Sequence, residues 1–163
     1  MNHFSYDDIT VGQTAEFSRE ITAEMMERFR ELSGDENPLH KDEAYAKEKG
    51  FPGRVVYGML TSSLYSCLGG VYIPGEHCLL QSVHADFLSP VFIGDKLTVT
   101  GKVAEKNDSV RQIVIKAVIR NQSGKKVSKA NNAIGKILVK KVIIMKTQAM
   151  PYFAVLPKSK RDF

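Results

Sequence analysis

The sequence is poor in the features that mark exported, membrane-bound or cofactor-loaded proteins. It has two cysteines, Cys67 and Cys78, too few for a disulfide framework in a chain of 163 residues, and that scarcity fits a reducing cytoplasm. No basic segment followed by an apolar stretch opens the chain. No apolar run approaches the roughly 18 residues that span a bilayer, so neither secretion nor membrane insertion is expected. A Gly-x-Gly-x-x-Gly fingerprint and a phosphate loop are both missing, which leaves nucleotide-dependent chemistry without a motif. The histidines include no pair at i, i+4 and no Cys-x-x-Cys accompanies them, so His40, His77 and His84 are not expected to hold a metal. Internal repeats and low-complexity tracts are also absent, and the bulk of the chain should be ordered.

What is present is material for one ordinary core. Hydrophobic residues make up 43% of the chain and charged residues 25%, enough for one domain and not for two comfortable ones. The net charge of +5 favours anionic partners. Its lysines are dispersed along strands and tail without interleaved aromatic rings, so nucleic acid is not the expected partner and most of these lysines read as solvated faces.

Thr14 to Ile21 alternates loosely, as a first strand does. Thr22 can cap a helix in which Met25, Phe29 and Leu32 recur at helical spacing and should form the buried stripe. Glu24 suits the positive end of that helix, and Gly34 suits its stop. Asp42 can cap a second short helix through Lys49, ended by Gly50. Gly58 to Leu68 reads as a third helix, apolar on most sides and closing at Gly69 and Gly70, and such a helix must be wrapped by something. The second half supplies the wrapping. Leu79 to Leu88 is a strand; Leu97, Val99, Gly101 and Val103 alternate with Lys96, Thr98, Thr100 and Lys102; Ile113, Ile115, Ala117 and Ile119 repeat the pattern. Asn121 to Gly124 forms a turn, and Lys125 to Val139 returns as one or two strands. Short connections make the neighbours antiparallel, and helices followed by a meander predict an α+β domain.

Asp35 and His40 sit five apart around Asn37-Pro38. Pro38 has no amide hydrogen and pushes Asn37 towards extended geometry, so the chain turns sharply and can aim a carboxylate and an imidazole at one point. Such a pair can take a proton from water and deliver one to carbon. A polar turn between two helices would use the same residue types. The stretch Leu32-Ser33-Gly34-Asp35-Glu36-Asn37-Pro38-Leu39-His40 resembles the signature of the MaoC-like, hydratase-2-type (R)-specific enoyl-CoA hydratases of hot-dog fold. Gly50 to Leu60 with the apolar run Leu64 to Leu68, and the crossing Ser89 to Asp95, are similar to the same family. One departure stands out: this chain has Tyr57-Gly58-Met59 where the family usually carries His-Gly-Met.

The resemblance implies a single hot-dog domain over residues 1–139, an antiparallel sheet wrapped around a long central helix, with the match itself covering about 11–139. Residues 140–163 form a tail, read either as a partly disordered end or as an arm over a subunit or the substrate opening. The implied reaction is reversible hydration of a trans-2-enoyl-CoA to a (R)-3-hydroxyacyl-CoA without a cofactor. Asp35 and His40 would share the water, Gly58 would donate its backbone amide to the thioester oxygen, and Asn37 would orient the pair. Ser66 matches a family serine near the substrate and is equally explained by close packing. Tyr57 bears on local packing or on substrate choice. Alternatives are a 3-hydroxyacyl dehydratase acting on carrier protein or CoA, a catalytically silent acyl-thioester-binding module, and a hot-dog thioesterase. A cytoplasmic homodimer is expected, since a lone sheet leaves an edge and an apolar rim uncovered.

Overall fold

A computed structural model describes residues 1–136. The expected tail at 140–163, and the last residues of the expected final strand, lie outside the described residues. Ten elements follow in order. Strand β1 (Thr14–Glu20) leads to helices α1 (Ala23–Ser33), α2 (Pro38–Lys41), α3 (Glu43–Glu48) and α4 (Gly58–Cys67), the last continued by a π-helical turn over Leu68–Tyr72. Strands β2 (Cys78–Phe87), β3 (Lys96–Asn107), β4 (Gln112–Arg120) and β5 (Lys126–Lys136) complete the domain. All five strands form one antiparallel sheet in the order β1-β3-β4-β5-β2. The α+β architecture expected from the pattern is the one observed.

The period of two fixes which face is buried. In β3, Leu97, Val99 and Val103 are fully enclosed while Lys96 and Lys102 face out; Ile113, Ile115, Ala117 and Ile119 do the same in β4. That inner face meets Leu60, Leu64, Tyr65 and Leu68 of α4 and its continuation. Each large apolar side chain so buried contributes roughly 1.5–3 kcal/mol. Tyr65 carries a polar tip into this core and satisfies it: its hydroxyl donates to Ser128 Oγ at 2.8 Å, and Ser128 Oγ donates to the Asp86 carbonyl at 2.9 Å. Burial pushes the Tyr65 phenol up to about 12.

Three local expectations are corrected. The stripe of α1 is displaced: Met26 is the buried residue, Met25 and Phe29 flank it half-buried, and Leu32 is 85% exposed. At 3.6 residues per turn, Leu32 lies about 120° round the helix from Met26. The central helix does not close at Gly69 and Gly70 but runs on to Tyr72. A Cβ on Gly69 would come within 2.9 Å of Cys78 Sγ and 3.1 Å of Ile134, so this glycine lets the helix lie close on the sheet rather than ending it. Pro38, expected only to forbid a continuous helix, instead begins a short one as its first residue, where a missing amide hydrogen costs nothing, α1 having already ended at Gly34.

Candidate active site

The loop between α1 and α3 is built from consecutive side-chain caps. Gly34 adopts φ 70°, which ends α1 with its amide donating to the Arg30 carbonyl at 2.8 Å. Asp35 Oδ1 then accepts from the Asn37 amide at 3.0 Å, and Asn37 Oδ1 accepts from the Leu39 amide at 3.0 Å, two overlapping turns of the kind short carboxylate and amide side chains favour. Asn37 sits at φ −57°, ψ 124°, the extended geometry that Pro38 imposes on its predecessor. A chain of ion pairs braces the loop from outside: Arg54 to Glu27 at 2.8 Å, Arg30 to Glu27 at 3.2 Å and to Glu36 at 3.7 Å, and Lys41 to Glu36 at 2.7 Å. The hydrogen bond from Arg54 holds the Glu27 carboxyl below its ordinary value, and that from Lys41 does the same for Glu36.

His40 emerges half-buried from this loop with its Nδ1 2.7 Å from the Val55 carbonyl. A carbonyl only accepts, so Nδ1 carries the hydrogen, and in the neutral form of the ring the lone pair is on Nε2. Val55 is itself held by its amide on the Leu39 carbonyl, and the next amide, of Val56, donates to the Val91 carbonyl at 2.8 Å. The imidazole lies against the Tyr57 ring, centroids 4.2 Å apart and planes tilted by 37°.

His40 and Gly58 line the same open cavity of about 370 Å³, with Thr61, Phe87, Pro90 and Val91 among the other walls. Gly58 is the first residue of α4, where the amide has no acceptor within the helix and the helix dipole is positive. A Cβ here would stand 3.2 Å from the Phe87 ring. An imidazole and a helix-start glycine, whose amide has no hydrogen-bond partner among the described residues, thus line one open space.

The remaining expected residues are placed differently. Asp35 and Asn37 are exposed on the loop that leads into His40 and do not line the cavity, and the Asp35 carboxylate bonds the Asn37 amide rather than His40. Tyr57 is buried and does not line the cavity; its hydroxyl donates to the Asp35 carbonyl at 2.9 Å. Burial raises its phenol, with the Asp35 charge adding to the rise. Ser66 is exposed on the outer side of α4 and stands away from the cavity in the single chain. Sequence reasoning missed Val55, whose carbonyl selects the His40 tautomer, because a backbone acceptor leaves no residue-type signal. It also missed Thr61 and Phe87, although Thr61 stands one helical turn after Gly58.

Fold and site together define an α+β hot-dog domain in which a helix-start amide and an oriented imidazole converge on one cavity. The family model of the MaoC like domain matches residues 8–125, and the chain belongs to that family. Its curated relatives include the "(R)-specific enoyl-CoA hydratase" of Aeromonas caviae, 39% identical over 58% of this chain and 70% of the relative. Another is the "3-hydroxyacyl-[acyl-carrier-protein] dehydratase, mitochondrial" of Arabidopsis thaliana, 38% identical over 55% of this chain and 52% of the relative. Among solved structures, the unliganded R-hydratase PhaJ1 of Pseudomonas aeruginosa superposes with a TM-score of 0.76 at 33% identity, covering 80% of this chain and 84% of that one.

Proposed function

We propose that this chain catalyses the reversible addition of water to a trans-2-enoyl thioester, giving the (R)-3-hydroxyacyl thioester. The carrying observation is the convergence of His40 and Gly58 on one cavity, with the tautomer of His40 set by Val55. In the hydration direction, the Asp35 and His40 pair removes one proton from water as its oxygen bonds to C3 and returns a proton to C2, while the other hydrogen stays on the oxygen as the 3-hydroxyl. His40 acts through Nε2, and Asp35 through Oδ2, since its Oδ1 is committed to the Asn37 amide. As the C2–C3 double bond is lost, enolate-like charge on the thioester oxygen accepts from the Gly58 amide. Asn37 holds the loop, and no cofactor enters any step.

The names of the relatives support both directions, hydration of enoyl-CoA and dehydration of a 3-hydroxyacyl carrier protein, and the same site serves either. Mixing the protein with crotonyl-CoA and following enoyl-thioester absorbance tests the reading. Absorbance should fall without release of free thiol; release of thiol would identify a thioesterase, and no change an acyl-binding module.

The working form is a homodimer. Strand β2 has a neighbour on one side only among the described strands, and Leu79 and Phe87 on it, Leu88 after it and Met59 on α4 are exposed in the single chain. Sedimentation at twice the 18.2 kDa chain mass supports this, and a stable, fully active monomer counts against it. Among the described residues, no helix is long and apolar enough to cross a membrane. The unpaired Cys67 and Cys78 favour the cytoplasm, which imaging of a tagged chain would test.

A further inference from the structure

Tyr57 touches every part of the site without lining the cavity. Its hydroxyl donates to the carbonyl of Asp35, its ring packs on the imidazole of His40, and its own carbonyl end runs through the peptide bond into the Gly58 amide. The same ring also meets Phe29 of α1, centroids 5.1 Å apart, so Tyr57 contacts both Phe29 and His40. The ring is buried, 2% exposed, and cannot swing aside without opening the core. The loop it grips is solvent-exposed from Ser33 to Asn37; its own caps and the Glu36 ion pairs shape it from within and from the exposed side, and the Tyr57 hydroxyl ties it to the buried core.

We propose that Tyr57 is a positioning residue that sets the separation of the acid/base pair: the hydroxyl anchors Asp35 and the ring anchors His40, so one rigid side chain gauges the distance between carboxylate and imidazole. This rests on the proposed roles of Asp35 and His40. The two contacts are separable. Tyr57→Phe keeps the ring on His40 and on Phe29 and releases only Asp35. The Gly58 amide, held through the backbone at the start of α4, is untouched by that change. Loss of the hydroxyl therefore acts on proton transfer and not on thioester binding.

The test combines kinetics with a measurement that needs no turnover. In Tyr57→Phe, kcat with crotonyl-CoA should fall about tenfold with KM unchanged, since a small misplacement of a catalytic group costs one to two orders of magnitude. In an Asp35→Asn background the same change should cost nothing more, because the hydroxyl acts through Asp35. Amide exchange at Asn37 and Leu39, read by NMR on the folded protein without substrate, should quicken severalfold while the amides of β3 and β4 keep wild-type rates. A merely structural role would lower Tm and leave kcat and the cycle unmoved. Wild-type kcat in Tyr57→Phe, fully additive losses in the double variant, or unchanged exchange at Asn37 each overturns the proposal. Full activity in Asp35→Asn instead sinks the acid/base reading, and the exchange measurement still decides whether Tyr57 fixes the loop.

Discussion

Substituting Gly58 by Ala separates stability from catalysis in this protein. The added Cβ would lie 3.2 Å from two atoms of the Phe87 ring and 3.4 Å from a third, closer than an ordinary carbon contact by a few tenths of an ångström. Phe87 ends β2, an outer strand among the described residues, and is 50% exposed in the single chain, so there its ring can yield at little cost; a larger Tm loss would show that it is covered in the dimer. Replacing glycine in a helix also recovers up to about 1 kcal/mol of helix preference, less at a first-turn position. These effects nearly cancel, and thermal unfolding should shift by no more than a few degrees. Catalysis should suffer far more, because the methyl group stands beside the amide that the thioester oxygen must approach to about 3 Å, inside the cavity it shares with His40. Loss of one oxyanion donor costs about 10²–10³ in kcat, and that is the expected fall. Crotonyl-CoA turnover and a melting curve on the same preparation decide it. A Gly58→Ala variant within threefold of wild-type kcat would refute the oxyanion role, and a Tm drop beyond about 10 °C would refute the packing argument as drawn from the single chain.

The other expectations follow from single contacts. Asp35→Asn and His40→Ala should each reduce turnover by about 10²–10⁴ with native circular dichroism, and the double variant should be scarcely worse than the worse single. Leu32→Ser should leave Tm within about a degree or two, since an exposed side chain contributes under roughly 0.5 kcal/mol; a large loss would show that Leu32 is covered in the assembled protein. The phenols of Tyr57 and Tyr65 are raised by burial, so the stability they contribute is complete below the ordinary value of 10.0 and is lost as pH rises through the raised values, about 12 for Tyr65. Melting temperature should therefore stay level up to about pH 10 and fall above it, and Tyr65→Phe should lose part of that alkaline fall.

Much of this was legible in the residues. The alternation in β3 and β4 is strict because one face meets a helix and the other meets water, and Thr22, Gly34, Asp42 and Pro38 announce helix ends through local chemistry that tertiary contacts leave in place. Leu32 misled because α1 has apolar residues at Met25, Met26 and Phe29, and periodicity does not say which of two overlapping stripes faces the core. Gly69 misled because a glycine that ends a helix and a glycine that lets it lie close on a sheet have the same letter. In the site, spacing suggests Asp35 and His40 as a pair and the resemblance suggests Gly58; the structure brings His40 and Gly58 to one cavity and leaves the Asp35 carboxylate on the loop, bonded to the Asn37 amide. The tautomer of His40 could not be read from the sequence, since it depends on a backbone carbonyl fifteen residues away. Nor could the hydroxyl of Tyr57 on the Asp35 carbonyl, a contact that spans 22 residues.

The strand order carries a consequence for how the chain assembles. Strand β2 is made before β3 and β4, yet among the described strands it pairs only with β5, which follows 39 positions after Phe87 if counted to Lys126. A chain emerging from its N-terminus must hold β2 unpaired until β5 appears. The cavity wall waits with it: the Leu88 amide bonds the Val127 carbonyl, and Phe87, Leu88 and Val127 all line the space that His40 and Gly58 face. Loop closure of this length slows folding, and the cavity shared by His40 and Gly58 is therefore among the last parts to form. A chain cut before β5 would lose two strands from the sheet rather than one, keeping Asp35, His40 and Gly58 in sequence while having no finished pocket in which to use them.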